Sequence, residues 1–105
     1  MPDSSAGATI LSELSPLDLA RATRMPVETA TRWTEGAEHP TGQALERLQA
    51  LARVVDLLDE AGLRDPTARS EWLRHPNRMF AGESPLDLVS SGDDRRVLDY
   101  VQTLL

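Results

Sequence analysis

The alternation of apolar and polar positions follows a helical period along the whole chain. Ile10, Leu11 and Leu14 recur at the spacing of one helix face and predict a short first helix from Ala8. Ser15-Pro16-Leu17-Asp18 then makes a helix start: a capping hydroxyl, a proline suited to the first turn, and a carboxylate near the exposed backbone N–H groups. The second helix is expected to reach Ala22, with Thr23-Arg24-Met25 as a break. Pro26 opens the next, whose Val27, Ala30 and Trp33 share a face, with Gly36 and Pro40 as stop signals.

The longest periodic run follows Thr41. Leu45, Leu48, Leu51, Ala52, Val55 and Leu58 form one stripe that Gly62 ends. Leu63-Arg64-Asp65-Pro66 reads as a connector, and Thr67–Arg74 as a helix centred on Trp72 and halted by Pro76-Asn77. Arg78–Gly82 is expected to be irregular or a single turn. Ser84-Pro85-Leu86-Asp87-Leu88 repeats the cap-proline-acid start, and Gly92 closes that helix. Asp93-Asp94 opens a last helix with Val97, Leu98, Val101 and Leu104 on its apolar face. No stretch alternates with the period of two that a half-buried strand requires, so the predicted fold class is all-α. The string Ser-Pro-Leu-Asp-Leu occurs at Ser15–Leu19 and again at Ser84–Leu88. The flanking residues do not match, and convergence on a good helix start explains the repeat better than duplication does.

Composition narrows the function classes. With 105 residues and 40% hydrophobic content, the chain suits one compact domain or two very small helical units sharing a core. A chain this short buries a limited fraction of its surface, so partner subunits would help it. The net charge is −6 and all eleven basic residues are arginine. An acidic chain is a poor non-specific ligand of nucleic acid, because phosphate affinity is largely cationic. Without cysteine there are no disulfides or thiolate metal sites. His39 and His75 lie far apart in no ligand-spaced motif, and no nucleophile–base–acid set or glycine-rich phosphate loop is recognisable. A binding protein rather than an enzyme is expected, with no catalytic residue, metal or cofactor. Met1–Ala8 has no basic n-region or long apolar run, which points away from a signal peptide or membrane anchor and toward the cytoplasm. Met1–Gly7, rich in Ser, Ala, Gly and Pro, is expected to fray.

Leu14-Ser15, Leu19-Ala20-Arg21, Val27-Glu28-Thr29, Arg32-Trp33, Gly36 and Pro40 together resemble the helix-turn-helix of Xre-type, lambda-repressor-like regulators. The resemblance implies that the second of these helices reads the major groove with Trp33 packed beneath it. Glu28, Thr29 and Arg32 would then face DNA, and Arg24 and Thr31 would touch phosphates. Two features depart from the pattern: Thr23-Arg24 stands where a turn glycine is usual, and the reading helix carries a single arginine beside Glu28. A scaffold or dimerisation module is the alternative use of the same unit.

In the second half, Glu71-Trp72-Leu73, Pro76-Asn77-Arg78, Phe80, Gly82, Ser84-Pro85-Leu86-Asp87-Leu88 and Arg96-Val97-Leu98 occur in an order and spacing that resemble the toxin-binding domain of the Xre/MbcA/ParS antitoxins. That resemblance implies a partner, a RES-domain toxin that consumes NAD, whose active-site entrance the antitoxin covers. The expected organisation is residues 1–62 as helix-turn-helix and dimerisation region and 63–105 as toxin-binding domain, with the long helix joining them. The candidate toxin-binding residues are Arg74, Asn77, Arg78, Met79 and Glu83, with Arg95, Arg96 and Tyr100 behind them. Arginine forks and an adaptable methionine on an irregular segment suit a protein interface. Trp72, Leu73, Phe80, Leu86 and Leu88 are expected in the core. Operator DNA is a second expected partner, and a homodimer or larger toxin–antitoxin hetero-oligomer the expected assembly. The alternative is a free-standing Xre-like transcription regulator.

Overall fold

A computed structural model of the chain describes residues 10–105. Residues 10–13 are helical and lead into α1 (Pro16–Thr23), α2 (Val27–Glu35), α3 (Gly42–Glu60), α4 (Pro66–Arg74), a single 3-10 turn (Arg78–Phe80), α5 (Pro85–Ser90) and α6 (Asp94–Gln102). No strand occurs among the described residues, as the periodicity predicted. The expected fraying of Met1–Gly7 and the helix start at Ala8 lie outside them.

The two serine start signals act as read, and Asp65, expected within a connector, caps a helix as well. Ser15 Oγ accepts the Asp18 N–H at 3.3 Å, Ser84 Oγ accepts that of Asp87 at 3.1 Å, and the Asp65 carboxylate accepts that of Ala68 at 3.3 Å. Each bond satisfies one orphan donor of a first helical turn. Thr41 holds the cap position of α3, but its side chain makes no capping bond. The turn between α1 and α2 is made by Arg24 at φ 58°, whose N–H bonds the Ala20 carbonyl. An arginine thus occupies the left-handed position that glycine takes most cheaply, at a cost of roughly 1–2 kcal/mol.

Helix α3 is buried over more than one stripe. Ala44, Leu48, Leu51, Val55 and Leu58 lie on one line, and Ala52, Val54 and Ala50 widen it on both sides. At 3.6 residues per turn these positions span an arc of roughly 200°. The arc is centred near Leu51, so Leu45, expected on the buried stripe, falls beyond its edge and is 38% exposed. The width has a tertiary cause: α3 packs against α1 from the first half and against α5 and α6 from the second.

One core results. Leu19, Ala22, Ala30 and Trp33 belong to the same apolar cluster as Leu73, Phe80, Leu86, Leu88, Val97 and Val101. The expected core residues of the second half are buried, except that Trp72 packs on the core half-exposed. Leu104, expected on the apolar face of α6, lies past the helix end and is 48% exposed.

The cluster also encloses a charge. Arg69 on α4 is buried and donates to both carboxylate oxygens of Glu13, at 3.0 and 2.8 Å, to Asp59 at 3.4 Å and to the Leu63 carbonyl at 3.0 Å. One guanidinium therefore fastens the segment before α1, the end of α3 and the start of the second half. A buried cation is tolerable only when paired and hydrogen-bonded in this way.

Core position predicts the response to truncation. Leu51→Ala is expected to cost about 3 kcal/mol, within the usual range for a fully buried leucine. Leu45→Ala should cost less than about 1 kcal/mol, because the side chain already meets solvent. Urea unfolding of the two variants measures the difference.

Candidate protein-binding surface

Between α4 and α5 the chain leaves the core and returns within a few residues. Asn77 opens this loop: its side-chain oxygen accepts the Met79 N–H at 2.9 Å, and the 3-10 turn of Arg78–Phe80 follows. Phe80 drops into the core, whereas Met79 stands 62% exposed. Ala81 and Gly82 then take left-handed conformations at φ 56° and 85°, which sends the chain back. The Asn77 N–H donates to the Glu83 carbonyl at 3.0 Å and the Gly82 N–H to that of Asn77 at 3.0 Å, so the loop is closed by its own backbone. Ala81 in that conformation is strained where glycine would not be.

Three rings support the loop from below. Phe80 meets Trp72 edge-on at 6.3 Å and Tyr100 edge-on at 5.5 Å, while Trp72 and Tyr100 stack nearly parallel at 6.4 Å. Such offset and T-shaped pairs add specific stabilisation to the burial of the rings. Trp72 and Tyr100 remain half-exposed, so the stack is a wall of the surface as well as a support.

The loop is also held from the first half of the chain. Arg21 of α1 donates from Nε and Nη2 to the two oxygens of Asp87, both at 3.1 Å, from Nη2 to Ser84 Oγ at 2.9 Å, and from Nη1 to the Arg74 carbonyl at 3.4 Å. In return, Arg74 Nε donates to the buried Asp18 carboxylate of α1 at 3.1 Å. The two Ser-Pro-Leu-Asp-Leu strings thus start helices that pack on each other, and each aspartate takes an arginine from the other half. The Arg21 guanidinium, with help from the Ser84 hydroxyl, holds the Asp87 carboxyl below the usual carboxylate value, against the opposing effect of partial burial. Arg69 is shifted upward, chiefly by its bonds to Glu13, with burial opposing.

The structure brings Arg74, Asn77, Arg78, Met79 and Glu83 together on this loop and its root. Arg78, Met79 and Glu83 are exposed, Asn77 is engaged in the turn, and Arg74 is half-exposed on Asp18. Arg95 and Arg96 are exposed on the first turn of α6, where Arg96 pairs with Asp93 at 3.2 Å, and Tyr100 lies in the ring stack.

The residues expected at DNA are less uniformly presented. Arg24 and Glu28 are exposed. Thr29 is buried and accepts from Arg32 Nη2 at 3.3 Å. Thr31 is half-buried and donates back to the Val27 carbonyl at 2.9 Å, and Arg32 is paired with Glu38 at 2.9 Å. Trp33 is buried, as its expected place beneath the helix requires.

Two residues that organise the surface escaped the sequence reading. Arg21 meets Asp87 across 66 positions, a pairing that no local pattern encodes. Arg69 left a usable sign: it lies one helical turn before the buried Leu73, and a cation on an apolar face demands a partner.

Among the described residues the fold is all-helical, with an exposed, internally braced loop between α4 and α5. Residues 60–104 match the family described as the antitoxin Xre/MbcA/ParS C-terminal toxin-binding domain. The mycobacterial cidal antitoxins MbcA of Mycobacterium tuberculosis and Mycobacterium bovis are each 36% identical over 76 residues, which is 72% of this chain and 66% of the relative. A chain of the crystal structure of the M. tuberculosis MbcT-MbcA toxin-antitoxin complex superposes with a TM-score of 0.78 at 26% identity, covering 95% of this chain and 90% of that one. The chain belongs to the Xre/MbcA/ParS antitoxin family.

The Asp87 shift fixes a sign for pH dependence. Its folded-state pKa is depressed, so its stabilisation is fully present above the ordinary carboxylate value and is lost as pH falls through the lower folded value. Asp87→Asn should therefore lose less stability than wild type between about pH 5 and about pH 3, as thermal melts across that range would show.

Proposed function

We propose that this protein is the antitoxin of a toxin–antitoxin pair and that it neutralises a RES-domain, NAD-consuming toxin by covering its active-site entrance. The observation that carries this reading is the coincidence of the family match over residues 60–104 with the exposed loop of Arg78, Met79 and Glu83. The structural relative comes from a toxin–antitoxin complex, and the fold likeness extends over both halves of the chain.

Physically, the surface suits occlusion. A protruding methionine adapts to a pocket rim at low cost, and arginines beside it can pair with carboxylates there. The ring stack and the closed backbone of the loop keep the surface ordered before binding, which reduces the entropy lost on association. No helix among the described residues is long and apolar enough to cross a membrane, and the proposed place of action is the cytoplasm.

Operator binding has weaker support. Thr29 is buried, Arg32 is neutralised by Glu38, and Glu28 stands exposed on the same helix. Repression of its own operon would have to rely on Arg24 and on an assembly larger than one chain.

The adjacent gene is expected to encode a RES-domain protein, and co-expression with that protein tests the proposal. Growth and intracellular NAD should both recover when this chain is present. Met79→Asp should weaken toxin binding by roughly 2 kcal/mol or more, the size of an interface hot spot, with the melting temperature little changed. Growth arrest and NAD loss that persist beside the wild-type chain would refute the reading.

A further inference from the structure

Both ends of the exposed loop are held by one side chain that belongs to the opposite half of the molecule. At the entry, the Arg74 carbonyl is one of the orphan acceptors at the end of α4, and Arg21 Nη1 donates to it at 3.4 Å. At the exit, Ser84 caps α5, and Arg21 Nη2 donates to its hydroxyl at 2.9 Å. Asp87 fixes the guanidinium itself through two parallel bonds of 3.1 Å, the bidentate geometry that arginine alone provides. Arg74 adds a reciprocal link to the buried Asp18. Between these anchor points the loop is shaped by its own backbone bonds, the Asn77 side chain that caps its turn, and the buried Phe80.

We infer that Arg21, on the first helix of the helix-turn-helix, is a positioning residue for toxin capture that presets the loop between α4 and α5. The inference rests on the antitoxin reading and adds to it a role for the half of the chain outside the family's toxin-binding domain. Arg21 touches no partner in this role. It sets the separation of the loop's two ends, so that Arg78, Met79 and Glu83 are displayed in one arrangement before the toxin arrives. Pre-ordering of this kind appears in affinity rather than in new contacts.

The discriminating variant is Arg21→Lys. Lysine keeps a positive charge opposite Asp87, but one ammonium group cannot span the Arg74 carbonyl, Ser84 Oγ and both Asp87 oxygens. Amide hydrogen exchange on the full chain reads the loop directly. The N–H groups of Asn77, Met79, Gly82 and Glu83 should exchange roughly tenfold faster in Arg21→Lys and Arg21→Gln, while those of Leu51, Val54 and Leu58 keep wild-type rates. Affinity for the co-purified RES-domain toxin should fall about tenfold in both variants, with the Lys variant melting close to wild type.

Unchanged loop exchange overturns the inference. So does exchange that rises equally in loop and core, which is the mark of a purely structural residue, or a loosened loop with unaltered toxin affinity. A wild-type chain that fails to hold the toxin refutes the antitoxin reading instead, whereas wild-type binding matched by both Arg21 variants refutes only the positioning role.

Discussion

Helix α3 has apolar side chains over more than half its circumference, and the rest of the molecule is arranged to cover them. A chain of 105 residues cannot fill two separate cores, because surface outweighs volume at this size. Packing α1, α5 and α6 all against α3 lets a single helix serve both halves. Leu48, Leu51, Val54, Val55 and Leu58 then sit in one continuous cluster with Leu19, Trp33, Leu86 and Val97. The first half and the C-terminal helices meet directly along the α1–α5 contact as a result.

That contact is where charge enters the design. An acidic chain whose basic side chains are all arginine has forks to distribute, and three of them close seams between the two halves. Arg69 ties Glu13 and Asp59 to α4, Arg74 reaches Asp18, and Arg21 reaches Asp87, Ser84 and the end of α4. Half-exposed pairs such as Arg21–Asp87 contribute little stability singly, since solvent screens them. Their value here is geometric: bidentate bonds fix the angle between two helices that apolar packing alone would leave freer to slide.

The loop between α4 and α5 draws on both features. Phe80 and the Trp72–Tyr100 stack anchor it to the shared core, and two successive left-handed residues turn it back. The strain at Ala81 is offset by the enclosing bonds, a common arrangement where a surface must be displayed rigidly. On α2, by contrast, the polar groups are engaged locally: Thr29 is buried, Arg32 is paired with Glu38, and Thr31 and Thr34 donate to carbonyls of their own helix.

Much of this was legible in the chain itself. Helix starts at Ser15 and Ser84, stops at Gly36 and Gly92, and the membership of Trp33, Leu73, Phe80 and Leu86 in the core follow from local rules. Capping bonds span three residues, and helical periodicity needs only one turn to show. The order of motifs from Trp72 to Leu98 likewise pointed to the antitoxin family. What tertiary structure alone decided is which faces are shared: that Leu45 is left out and Val54 taken in, that Leu104 overshoots its helix, and that Arg21 and Arg69 act across the fold. A side chain's partner 50 or more positions away depends on how helices pack, and that packing is a property of the whole core rather than of any segment.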